Sequence, residues 1–332
     1  MRGEPAVRAA VSDLATLVRV SRLYYELGET QEAIATLVGV TRPQVSRLLK
    51  EARAQGVVEI RIVDRSEVES PAGEALRTRF GLRAVHLAPT LDGPPELTRR
   101  RVGRLAGEVL RSAIRDGMVV GIGDGASVSA VADELGAGAM ASGGAAGAGG
   151  GAQVDATVVP LCGGFWRAGA GDEPYRRIGD ALGASVQALH APGLLDDAKV
   201  RDALCAHAGV RSVIDLWARL DVALFGIGGR SWSEASIGRP AMAEIEAGKA
   251  VGEVLIAPFA IDGRLVGDSL RQRTVAFDAR SLATVPLAIG VAEGASKVAP
   301  ILGALRGHFL NVLVTDVRTA EAVLNLASEA AA

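Results

Sequence analysis

The chain has 332 residues, of which 49% are hydrophobic and 22% charged, with a formal net charge of -2 and a pI of about 6.2. That length favours two domains over one, and the apolar content excludes a disordered chain. The near balance of charge excludes a uniformly basic protein, so any contact with nucleic acid must come from a local patch. The two cysteines, Cys162 and Cys205, are too few and too far apart for a disulfide framework or a thiolate metal cage.

The first residues, MRGEPAVRAAVSDLATLVRV, scatter charge through what a signal peptide keeps apolar. No apolar run reaches the ~20 residues of a membrane-spanning helix. The expectation is a cytoplasmic protein with no membrane partner.

In chain order, Leu14 to Leu27 reads as a helix that carries Leu17, Val20, Leu23, Tyr24 and Leu27 on an apolar face. Thr30 then caps a second helix through Leu37. Glu32 lies in its first turn, and Gly39 supplies the left-handed residue that ends it. Thr41 and Gln44 form T-x-x-Q, a capping box that starts a third helix with Pro43 tolerated in its first turn. Ile34, Val38, Val40, Val45 and Leu48 fall where two helices crossing at a tight turn need apolar contacts. This spacing predicts a helix-turn-helix. A helical hairpin used only for packing would not need the polar outer face of the third helix.

On that face Arg42, Gln44 and Arg47 carry the chemistry for base edges, and Thr41, Ser46, Lys50 and Arg53 that for phosphate oxygens. VVEIRIVD, residues 57 to 64, alternates apolar and polar positions and is expected to form a wing strand. One such unit reads few bases, and pairing two of them on double-stranded DNA requires an oligomer.

Beyond residue 64 a helix is expected over 68–80, a strand at RAVHLAP and a helix over 97–115. A short apolar strand running into glycine then recurs: MVVGIGDG, TVVPLCGG, VALFGIGG, PLAIGVAEG, with NVLVTD last. Strands apolar throughout, alternating with helices, predict a doubly wound, mainly parallel α/β domain that binds its ligand at the strands' carboxyl ends. GIGDGA (121–126) approaches a dinucleotide fingerprint, but no strand-borne acid follows about 20 residues on, so no cofactor is expected. The amides from Gly123 to Ser127, opening a helix, suit an anion or a sugar hydroxyl. Residues 136–152, nearly all Gly and Ala, are expected to form a flexible loop.

The sequence resembles the SorC family of sugar-responsive transcriptional regulators nearly end to end. The resemblance rests on LYYELGETQEAIATLVGVTRPQVSRLLKEARAQGVVEIRI, VGIGDGASVSAVADEL, LFGIGG, GKAVGEVLIAPFAIDGRLV and VAEGASKVAPILGALRGHFLNVLVTD. It implies a helix-turn-helix domain over 1–64 and a sugar-binding and oligomerisation domain over 65–332, the latter related in fold to ribose-5-phosphate isomerase and glucosamine-6-phosphate deaminase. It implies a sugar, polyol or sugar-phosphate effector and a homodimer or homotetramer on operator DNA.

The resemblance also places Tyr25 and Gln31 near DNA. It places the effector against Gly123, Asp124, Gly125, Ala126, Ser127, Glu253 and Lys297, with a modest preference for Arg273 facing it. Gly163, Gly164 and Gly228 lie on the matching strand ends, and Trp166 follows two of them closely enough to line a pocket. The family's usual G-W-G-R-T is here Gly123-Asp124-Gly125-Ala126-Ser127. Glu253 stands for the usual Asp and Glu293 for the usual Gly. These added acids favour a ligand rich in hydroxyls over a phosphate. The competing reading is an isomerase or deaminase using Glu253, Glu293 and Lys297 as acid and base, to which the N-terminal module would add nothing. Asp316, following the last strand, is expected to cap a helix.

Overall fold

The computed structural model describes residues 13–58, 70–141, 154–164 and 173–329. The described residues divide into two compact units, the first of residues 13–58 with 140–141 and the second of residues 70–139, 154–164 and 173–329.

In the first unit, α1 (Leu14–Ser21) is capped by Asp13, whose carboxylate accepts from the Ala15 N–H. One π-turn, Arg22–Glu26, follows. The hydroxyl of Thr30 accepts from the Ala33 N–H to open α2 (Gln31–Val38), and Gly39, at φ 74°, closes it. The turn leads into α3 (Arg42–Ala54), where Gln44 Oε1 accepts from the Thr41 N–H at 2.8 Å and from its hydroxyl at 3.0 Å. Val20, Ile34, Ala35, Val45 and Leu49 form the core, with Leu23, Tyr24, Val38, Val40 and Leu48 packed around it.

Leu27 departs from expectation: it is 69% exposed. Its N–H bonds to the Arg22 carbonyl, five residues back. That wider turn carries Leu27 off the face shared by Leu17 and Val20. The expected wing, 57–64, lies outside the described residues beyond Val58.

The second unit opens with α4 (Pro71–Phe80), β1 (Ala84–Ala88), α5 (Pro95–Ala113), β2 (Val119–Ile122), α6 (Ala126–Ala141) and β3 (Thr157–Pro160). Strands β4 (Ser185–Val186), β5 (Val222–Gly226), β6 (Ala250–Val254), β7 (Ala257–Ala260), β8 (Leu287–Val291) and β9 (Val312–Asp316) follow. Seven of them make one parallel sheet in the order β1-β9-β8-β5-β2-β3-β4. Alternate residues feed opposite faces: Phe225 and Leu313 enter one buried cluster, and Leu224 and Val314 the other. Both faces are therefore covered, which is why these strands read as unbroken apolar runs.

Strands β6 and β7 form a separate antiparallel hairpin. Its turn holds two non-glycine residues in the left-handed region, Leu255 at φ 48° and Ile256 at φ 65°. Packing enforces this conformation, because Leu255 is buried in the same cluster as Phe225. The sequence reading did not place this hairpin. The flexible loop expected from residue 136 is also corrected, since α6 continues to Ala141. Alanine there has the highest helix propensity and offsets the glycines at 136 and 138. Residues 142–153 and Trp166 lie outside the described residues.

Candidate functional site

The carboxyl ends of the parallel strands converge on one cluster. After β2, Gly123 turns the chain against the neighbouring strand: a Cβ there would come within 2.9 Å of Phe225 Cβ. Only glycine fits so close an approach. Asp124 is exposed and accepts its neighbour Gly125's N–H at 2.7 Å, while Gly125 takes φ 119°. The chain then enters α6 at Ala126, which is exposed, with Ser127 buried in its first turn.

After β8, buried Glu293 reaches back to this point. Its Oε2 accepts from the Ser127 hydroxyl at 2.8 Å and its Oε1 from Arg99 Nε at 2.8 Å.

Hairpin β6–β7 joins the cluster through a two-way backbone pairing. The Gly228 N–H donates to the Glu253 carbonyl at 2.8 Å, and the Glu253 N–H donates to the Gly228 carbonyl at 3.2 Å. A Cβ on Gly228 would lie 2.6 Å from Glu253 Cγ, so this position, too, requires glycine. The Trp232 indole donates to Glu253 Oε2 at 2.8 Å. Burial pushes the Glu253 carboxyl above its usual range, against the lowering influence of Trp232, Lys297 and Ser231.

Burial pulls Lys297 below the ordinary lysine value, with Arg99 adding to the effect while Glu293 and Glu253 oppose it. Among the described residues no carboxylate lies within 4 Å of the Lys297 ammonium, and no hydrogen bond takes its protons. Three donors therefore stand free between two acids.

The third strand end, Cys162 to Gly164, is stitched to its neighbours by backbone bonds. Gly163 donates to the Val275 carbonyl and Gly164 to that of Ala191. Burial pushes the Cys162 thiol up to about 12, with Asp124, Glu253 and Glu173 adding to the shift. The buried thiol is thus inert.

Arg273 does not join the cluster. Its guanidinium donates to the carbonyls of Leu195, Asp196 and Ile237 and, through Nε, to that of Ser269. It holds loops together. Arg99 and Trp232 are the groups that sequence reasoning missed. Arg99 is 194 residues from its partner Glu293, a separation that leaves no local signal.

Asp316, expected to cap the helix Val317–Glu329, does so. Its carboxylate accepts from the Thr319 N–H and hydroxyl, from Thr90 and from the Gly294 N–H. Burial alone would raise this carboxyl, but the bonds from Thr319, Thr90 and Gly294 hold it below its usual value. A depressed folded-state value stabilises above the ordinary carboxylate range and is lost as pH falls through it. Wild type is therefore expected to exceed Asp316→Asn in melting temperature at pH 7, with the gap closing as the pH is taken below ~4. A gap that does not change with pH would show that the charge on Asp316 does not matter.

In the first unit Thr41, Arg42, Gln44, Ser46, Arg47, Lys50 and Arg53 are all exposed along α3, whose buried residues are Val45, Leu49 and Ala52. The carbonyl oxygen of Gln44 is committed to the cap, which leaves its amide NH2 to reach outward. Tyr25 is 39% exposed and stacks edge-on with Tyr24, and Gln31 is half-buried at the start of α2.

Residues 65–325 match a family model described as a sugar-binding domain, and residues 12–78 match a Crp-like helix-turn-helix domain. The chain is 28% identical over 325 residues to the sorbitol operon regulator of Klebsiella pneumoniae, covering 94% of this chain and 98% of that one. It is 32% identical over 331 residues to the transcriptional regulator LsrR of Klebsiella pneumoniae subsp. pneumoniae, covering 96% and 95%. It is 28% identical over 324 residues to the erythritol catabolism regulatory protein EryD of Brucella abortus, covering 95% and 98%. The crystal structure of the full-length sorbitol operon regulator SorC from Klebsiella pneumoniae superposes with a TM-score of 0.74 at 26% identity. That match covers 95% of this chain and all of that one.

A helix-turn-helix unit joined to a sugar-binding α/β domain defines a transcriptional regulator. The chain belongs to the SorC family of sugar-binding transcriptional regulators. Among the described residues no helix is long and apolar enough to cross a membrane.

Proposed function

We propose that residues 1–64 bind double-stranded operator DNA and that residues 65–332 bind a sugar, polyol or sugar-phosphate effector and hold the chain as a homodimer or homotetramer. The regulated genes serve carbohydrate or polyol use, as the names of the sorbitol and erythritol relatives suggest. The observation that supports the effector reading best is Lys297, an ammonium whose protons no hydrogen bond among the described residues takes and which feels both Glu253 and Glu293, the latter bonded to Ser127. Donors and acceptors interleaved at this spacing suit a chain of hydroxyls. Effector binding alters DNA affinity only as far as it prefers one of two states of the oligomer.

A thermal-shift screen of the full chain against sugars, polyols and their phosphates tests the effector reading. A ligand at ~100 times its dissociation constant stabilises by about 2.7 kcal/mol. The same ligand must change affinity for a duplex enriched by this protein from a random-sequence pool. A panel without any such ligand would reject the reading. On that duplex Arg47→Ala is expected to cost ~1–3 kcal/mol and relax preference at one base position. Lys50→Ala is expected to weaken all sequences alike and to reduce the salt slope by about 1. Equal salt slopes for wild type and Lys50→Ala would remove Lys50 from the phosphate-contacting set.

A further inference from the structure

The two donors held by Glu293 come from the starts of two helices. Arg99 is in the first turns of α5 and Ser127 in the first turn of α6. An arginine fork, a hydroxyl at a helix N-terminus and a nearby ammonium, Lys297, form the donor set that a phosphate monoester takes. In this chain the set already holds an anion. Glu293 is 9% exposed, and each of its oxygens accepts a bond of 2.8 Å. The neighbouring arginines of α5 do not compete for the place, because Arg100 and Arg104 are both bound to Glu134.

We infer that Glu293 acts as a tethered anion that fills the phosphate seat of the effector cleft and makes the chain selective for an uncharged sugar or polyol. Charge supports this beyond the geometry. Among these groups Glu253, Glu293 and Asp124 outnumber Arg99 and Lys297, so the surroundings of the seat disfavour a phosphate. A tethered carboxylate also has no translational freedom to lose, so a free phosphate competes with it at a disadvantage. An uncharged ligand meets no such barrier, because the carboxylate oxygens keep lone pairs that can accept from its hydroxyls.

The inference rests on the effector reading of the same cleft, and a titration that uses neither DNA nor sugar separates the two. Inorganic phosphate is titrated into the full-length chain by calorimetry, against chloride at equal ionic strength. Wild type is expected to show no specific phosphate binding. Glu293→Gly opens the seat and is expected to bind phosphate roughly tenfold to a hundredfold more tightly, the range for one bond to a charged acceptor. Adding Arg99→Met to that variant is expected to remove the gain, and Glu293→Gln, which keeps the seat filled, is expected to show none.

Where Glu293→Gly does not fold, Glu293→Ala opens the same seat with less backbone freedom, and the wild-type titration stands without either variant. Specific phosphate binding by wild type would overturn the inference, as would a folded Glu293→Gly that gains nothing. A wild type that responds to a sugar monophosphate but not to its free sugar rejects the filled seat and keeps the effector reading. A wild type that responds to no sugar, beside a Glu293→Gly that gains phosphate, keeps the filled seat and rejects the effector reading.

Discussion

Phe225→Ala is expected to lower the unfolding free energy of the second unit by about 3–5 kcal/mol, the usual range for removing a fully buried phenylalanine. Phe225 is 0% exposed on β5, in the buried cluster that also contains Leu255 of the hairpin turn. Its Cβ stands 2.9 Å from the position a Cβ on Gly123 would take. Alanine keeps that Cβ, so the approach to Gly123 survives, and truncation opens its cavity in the cluster that also holds Leu255 of the hairpin turn. In a unit of this size the loss corresponds to a fall in melting temperature of roughly 10 °C. Phe225→Leu, which keeps most of the volume, is expected to lose under about 1.5 kcal/mol. Denaturant titrations of both variants check the ordering. Equal losses would show that the ring's size is not what supports the turn. A second consequence follows from position: the variant's effector-induced stabilisation should shrink more than that of a buried-core variant far from the strand ends, such as Leu76→Ala.

The helix-turn-helix was legible because its signals are local. Thr30, Gly39, Thr41 and Gln44 act within four residues of themselves, through caps and one left-handed glycine, and tertiary packing did not override them. The parallel strands were legible for a different reason: burial on both faces leaves an uninterrupted apolar run that ends where glycine must turn the chain. Leu27 was misplaced because a π-turn leaves no mark in composition while shifting the phase of everything after it. The β6–β7 hairpin was missed because Leu255 and Ile256 occupy left-handed positions that sequence reading reserves for Gly, Asn or Asp. Only the packed interior explains them.

In the cleft the glycines and acids could be named in advance, but their partners could not. Arg99 meets Glu293 and Trp232 meets Glu253 through topology alone. Arg273 looked equally placed in the sequence, yet its fork is fully committed to backbone carbonyls. What a single sequence shows of such a site is the set of groups that need company, and the sheet order decides which of them meet.

Lys297→Met is expected to abolish the response to effector while leaving effector-free DNA affinity within about twofold of wild type. The methionine side chain keeps the apolar stem and removes the charged head. A hydrogen bond from an ammonium to a bound hydroxyl is worth about 1.5–3 kcal/mol, so two such bonds amount to a loss of a hundredfold or more in effector affinity. The variant should fold, because no carboxylate among the described residues is within 4 Å of that ammonium, and removing a desolvated cation relieves a burial cost. Glu253 should respond in the opposite sense. With its nearest compensating cation gone, its carboxyl should rise further above the usual range and carry a proton at higher pH.

Lys297→Arg separates charge from shape: it restores the cation but offers a planar fork where three tetrahedral donors stood, so partial recovery is expected. The decisive comparison is the effector's stabilisation of each variant, measured by thermal shift, set beside its effect on duplex affinity. If Lys297→Met keeps both, the free ammonium is a surface accident and the cleft binds by its amides and acids alone. If it loses both together, Lys297 is a binding group of the site; if stabilisation survives while the effect on duplex affinity is lost, linkage requires that the bond to Lys297 be made more strongly in one state of the oligomer than in the other, and the lysine is then part of the switch as well.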